Sequence, residues 1–112
     1  PEIFFWITLA AVVLAPLTEE LVFRVILQGS LQSKLSPKIA IAISAIIFAG
    51  VHGFPDSLAL VPLAVILGYV YYRRHSYLAV VVLHALFNLL NLVLSQLSQQ
   101  PDESASTVSL LW

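Results

Sequence analysis

From Tyr77 to Leu97 the chain runs through twenty-one residues without an aspartate, glutamate, lysine or arginine. A helix rises about 1.5 Å per residue, so about 20 apolar residues cross the hydrocarbon of a bilayer. This block fits a membrane span directly. Three more apolar blocks precede it: Ile3 to Leu31, Ile39 to His52 and Leu58 to Tyr72. The middle two are short and need flanking residues, or a thinned or protein-lined membrane. The first is too long for one straight span. Pro16 removes a backbone donor and disfavours helix at Ala15, which predicts a kink or break there. Thr18 is placed to cap a renewed helix, with Glu19 and Glu20 in its first turn.

Composition agrees with lipid as the solvent. Only 10% of the residues are charged and 60% are apolar, whereas a soluble domain carries about a quarter charged residues. The net charge of −1 provides no field to recruit nucleic acid. With no cysteine there are no disulfides and no thiolate metal sites. The chain opens at Pro1 and contains no methionine, which is expected of a fragment whose upstream part is missing.

The fold class expected is all-α: a polytopic transmembrane bundle of about four helices, the first kinked or broken near Pro16, forming the core of a larger bundle. Residues 1–98 make the membrane core, and residues 99–112, polar from Gln99 through Glu103, make a solvated tail. If the blocks cross alternately, Lys34, Lys38, Arg73 and Arg74 fall on one side and Glu2, Asp56, Asp102 and Glu103 on the other. The positive-inside rule then places the Lys34–Lys38 and Arg73–Arg74 connectors on the cytoplasmic side.

Glu19, Glu20 and Arg24 lie inside the first apolar block. Each charge near a bilayer centre costs about 2.5–3.5 kcal/mol on insertion scales, so these residues must face protein or trapped water. Glu20 and Arg24 are four apart, in the favourable order for a helical ion pair. That pairing lets Arg24 orient Glu20 and leaves Glu19 free to react. In the second block Phe48 and His52 share a helical face; a histidine near a helix end can also simply sit at the interface. In the last block His84, Asn88 and Asn91 form one stripe among Leu, Val, Ala and Phe. Helix–helix hydrogen bonding is the alternative for His84 and Asn88, and the preferred reading for Asn91. Gly68 suits close helix packing, and Trp6 and the tyrosines suit the interface. Counted along the helices from the basic side, Glu19, His52, His84 and Asn88 share one stratum about 15–22 Å deep.

Peptide hydrolysis without a nucleophilic side chain needs a base to deprotonate water and donors to hold the developing oxyanion. Glu19, His52, His84 and Asn88 supply such a set. No Gly-x-Ser-x-Gly elbow, His-Glu-x-x-His helix or Gly-rich phosphate loop is present. A zinc ion held by Glu19, His52 and His84 is the alternative on ligand type.

Glu19-Glu20-x-x-x-Arg24, Phe48-x-x-x-His52 and His84-x-x-x-Asn88, in this order on successive apolar helices, resemble the CAAX prenyl protease and bacteriocin-processing family, also called Abi or type II CAAX endopeptidases. The resemblance covers the chain up to about Leu97. It implies a glutamate-dependent intramembrane endopeptidase acting on a membrane-associated protein or peptide, prenylated in the family's founding members. By motif, Glu19 would activate water together with His52, His84 and Asn88 would form the oxyanion site, and Glu20 and Arg24 would support Glu19. The mechanism so implied needs no cofactor, and the partners are membrane lipid and a peptide substrate. Two other readings use the same buried charge: a non-enzymatic immunity or scaffold protein of the family, and a proton or ion pathway.

Overall fold

A computed structural model describes residues 1–99; the polar tail expected over 99–112 lies almost wholly outside the described residues. Those residues form four helices and no strand. Helix α1 covers residues 2–32, α2 is Pro37–Val51, α3 is Asp56–Arg74 and α4 is Tyr77–Ser98. Helix α4 is long and apolar enough to cross a membrane, and α2 is apolar but shorter.

Of the kink or break predicted at Pro16, a break is absent. The backbone stays right-handed helical on both sides, with φ/ψ of −62/−49° at Ala15 before it and −60/−48° at Leu21 after it. The irregularity takes another form. The turns at Ala10–Leu14 and Leu21–Gln28 are wound as π-helix. Ala15 N–H reaches back to the Ala10 carbonyl, five residues away. A widened turn of this kind relieves the clash between a proline ring and the preceding turn, so the helix continues where an α-turn would be strained. Thr18 therefore caps nothing. Its hydroxyl donates back to the Leu14 and Ala15 carbonyls within the same helix.

The winding also decides what α1 buries. Its buried residues are Pro16, Glu20, Arg24 and Gln28, one every four positions. An ordinary helix turns in 3.6 residues, so a seam of period four drifts round it; the π-wound stretches slow that drift. Three of those four side chains are polar, while Phe5, Trp6, Ile7 and Ile26 on the same helix are exposed. A water-soluble helix has the reverse polarity.

The remaining helices begin at identifiable signals. Ser36 caps α2, its hydroxyl accepting from Ile39 N–H at 3.4 Å, with Pro37 at the first helical position. Ser76 caps α4 in the same way, accepting from Ala79 N–H at 3.1 Å. Helix α2 ends at His52 and Gly53, whose φ of +80° favours glycine. Two small apolar clusters tie the helices together. Ala45, Phe48 and Ala64 join α2 to α3 with Phe23 against them, and Leu63, Leu67 and Val80 join α3 to α4. At Gly68 a β-carbon would stand 3.0 Å from both Gln28 Oε1 and an Ile41 methyl, so α1, α2 and α3 meet there because the side chain is missing.

Candidate active site

Glu20 is fully buried and bound on two sides. Its Oε2 lies 3.2 Å from Arg24 Nε, and its Oε1 lies 2.7 Å from His84 Nδ1 on α4. The Arg24 guanidinium is equally buried. It donates through Nη2 to the Ala64 carbonyl at 3.3 Å and lies 5.0 Å from the centre of the Phe48 ring. The Glu20–Arg24 contact lacks hydrogen-bond alignment, and Arg24 Nη1 has no hydrogen-bond partner, so the pair rests on Coulomb attraction and the Phe48 face.

Phe48 is the hub of this region. It is wholly buried, and its ring centre is 5.1 Å from that of Phe23, 4.7 Å from that of His52 and 5.9 Å from that of His84. Both imidazoles are thus set by one aromatic ring. Their outer nitrogens are set by acceptors. His52 Nδ1 is 2.6 Å from the Phe48 carbonyl oxygen, which can only accept, so Nδ1 carries the proton and Nε2 points away from its own helix. His84 Nδ1 faces the Glu20 carboxylate, which fixes the proton there by the same logic.

Both free Nε2 atoms converge on Glu19. His52 Nε2 is 3.6 Å from Glu19 Oε1, and His84 Nε2 is 3.4 Å from Glu19 Oε2. Glu19 and His52 are partly open, with side chains 29% and 28% exposed, whereas Glu20 and Arg24 are sealed at 0%. One carboxylate is therefore accessible and the other is structural, although they are adjacent in sequence. Three acceptor-capable groups facing one another need a proton, a water or a cation between them. Among the described residues no cluster of three or more His, Cys, Asp or Glu side chains has the arrangement of a metal cage.

Asn88 is placed differently from the other expected site residues. Its Nδ2 donates to the Ala11 carbonyl of α1 at 2.7 Å. That carbonyl has lost its helical partners: Ala15 N–H goes to Ala10, and Pro16, the next candidate, has no N–H. Asn88 fills the vacancy that proline creates, one turn beyond His84 on the same helix. Asn91 makes no side-chain hydrogen bond to the described residues. The structure thus brings Glu19, Glu20, Arg24, His52 and His84 together and places Asn88 beside them, turned to the backbone.

Gln28 and Tyr77 were missed by the motif reading. Gln28 is buried and donates to Gly68 O at 2.8 Å and to Gln32 Oε1 at 2.7 Å, extending the polar seam of α1. Its position four residues after Arg24 was the available signal. The Tyr77 hydroxyl donates to the Leu17 carbonyl, two residues before Glu19, and nothing in the local sequence marks that contact.

The family model for type II CAAX prenyl endopeptidases, Rce1-like, matches residues 1–90. The UPF0177 protein YxdF of Lactococcus lactis subsp. lactis (strain IL1403) is 38% identical over 81 residues, covering 69% of this chain and 43% of that protein. The chain thus spans less than half the length of that relative. No solved structure matches it. The residues that meet at Glu19 all lie within the matched span, and the chain belongs to the Rce1-like family of type II CAAX prenyl endopeptidases.

Proposed function

We propose that this chain is the core of a multi-pass intramembrane endopeptidase that hydrolyses a membrane-associated peptide with water activated by Glu19. The observation that carries this reading is the Glu19 carboxylate set between two imidazole Nε2 atoms at 3.6 and 3.4 Å, each imidazole locked through its other nitrogen. A water lying beside that cluster can give one proton to Glu19 while its remaining O–H donates a hydrogen bond to His52 Nε2. The resulting hydroxide attacks the peptide carbonyl, and Glu19 passes the proton to the leaving amine. His84 is oriented by Glu20 through Nδ1, and to donate to the tetrahedral oxygen it needs a second hydrogen, on the Nε2 that faces Glu19. Arg24, 3.2 Å from the other oxygen of Glu20, holds that carboxylate in place against His84. Asn88, committed to Ala11, fixes the position of α4 and hence of His84.

Membrane embedding is supported by the outward apolar surface of α1, by the span-length helix α4 and by the family. The positive-inside orientation, with Lys34, Lys38, Arg73 and Arg74 on the cytoplasmic side, and the division into a core of residues 1–98 and a tail remain part of the same proposal. So do the absence of a required metal and a prenylated substrate.

The test is hydrolysis by the full-length protein in lipid vesicles, using a panel of lipidated and unlipidated membrane peptides in ¹⁸O-labelled water. The reading expects two fragments, with label in the new carboxyl group and no covalent enzyme intermediate. Failure to cleave any member, by protein whose fold is intact, would return the family's non-enzymatic immunity or scaffold role.

A further inference from the structure

A cleft of about 420 Å³ opens beside His52 and is lined by His52, Asp56, Ala59, Leu60, Phe87 and Asn91. Three elements build it: the end of α2, the first turns of α3 and the middle of α4. Its polar groups other than His52 are uncommitted. Asp56 forms no ion pair, and Asn91 no side-chain hydrogen bond, with the described residues. An acid in a first helical turn is accounted for by the helix dipole. The dipole does not account for an amide on another helix lining the same cleft, nor for the apolar surface of Leu60 and Phe87 between them.

The geometry points to this cleft as the subsite for a basic residue flanking the scissile bond, so that the substrate is a peptide with Lys or Arg next to the cleavage point. This rests on the peptidase reading above and names its substrate class. A lysine or arginine side chain is apolar along its stem and charged at its head. Leu60, Ala59 and Phe87 suit the stem; the Asp56 carboxylate and the Asn91 amide oxygen suit the head. An acidic side chain in the same place would meet an unpaired carboxylate. An aliphatic side chain would leave Asp56 and Asn91 without partners while covering them. His52, shared between cleft and site, puts the bound residue within reach of the water held at Glu19.

The experiment compares cleavage of one membrane peptide carrying Lys, Leu or Glu on either side of the scissile bond, by full-length protein in vesicles. The lysine peptide is expected to exceed the leucine peptide in kcat/KM by about fivefold, the range of a half-exposed charge pair, with the glutamate peptide slowest. Asp56→Asn should erase the lysine advantage, and Asp56→Lys should reverse the order of lysine and glutamate. Asn91→Leu should narrow the preference without reversing it. An unchanged ranking in Asp56→Asn, or no ranking in the native protein, overturns the subsite and leaves the peptidase standing, because cleavage is still lost in Glu19→Gln. If nothing is cleaved the peptidase reading fails, and binding of the fluorescent lysine peptide decides the cleft alone. Tighter binding to native protein than to Asp56→Asn supports it, and equal binding overturns it.

Discussion

The Asn88 side-chain amide donates at 2.7 Å to the Ala11 carbonyl, an acceptor left without a helical partner by the proline at position 16. A proline in α1 is thereby compensated from α4, and the compensation sits one helical turn from His84. Removing Asn88 should cost about 1–2 kcal/mol of stability in lipid or detergent, the range for an orphaned polar group. Pro16→Ala returns an N–H to α1. In that background Asn88→Ala should cost less than half as much, and a double-mutant cycle of unfolding free energies measures the coupling. Equal costs in both backgrounds would separate Asn88 from the proline.

The Glu20–Arg24 pair is wholly buried and imperfectly aligned, so it is not a large source of stability as it stands. Breaking it is another matter. Arg24→Ala leaves a buried carboxylate facing His84 alone and should destabilise the protein by about 3–5 kcal/mol. Arg24→Lys should recover only part of that, because it gives up the planar contact with Phe48 and the reach to the Ala64 carbonyl. Thermal unfolding of the two variants side by side checks the order. A loss below about 1 kcal/mol for Arg24→Ala would mark the pair as solvated.

Much of this arrangement is legible in the sequence. Charges stranded among apolar residues must find one another, so Glu19, Glu20, Arg24, His52 and His84 could be drawn together from spacing and depth alone. Gly68 was readable as a close-packing position, and Gln28 and Ile41 crowd it. The unread parts have a common cause. Pro16 predicts trouble in α1, but whether a helix breaks or widens depends on what can satisfy the freed carbonyl, and that partner is 77 residues away. The same holds for Tyr77 and Leu17, separated by 60 positions. Side chain to backbone bonds of this range leave no periodicity in either segment. The spacing of Asn88 from His84 fits a helical stripe, and a stripe specifies a face without specifying the partner, which here is the Ala11 carbonyl.

The proposed mechanism uses no metal. Cleavage by the purified protein should therefore be unaffected by chelators and by exhaustive metal removal, with rates within twofold of the untreated protein. Activity lost to a chelator and restored by zinc would reassign Glu19, His52 and His84 as ligands. Elemental analysis of the same preparation closes the comparison.

The central claim is that the Glu19 carboxylate is the base that activates water, and the rate of peptide hydrolysis by Glu19→Gln protein tests it most directly. The substitution keeps size and polarity and removes only the basic oxygen. The account predicts a fall in kcat of about 10²–10⁴-fold with the unfolding temperature of the native protein retained. A Glu19→Gln protein that is equally stable and hydrolyses the peptide at the native rate would contradict it.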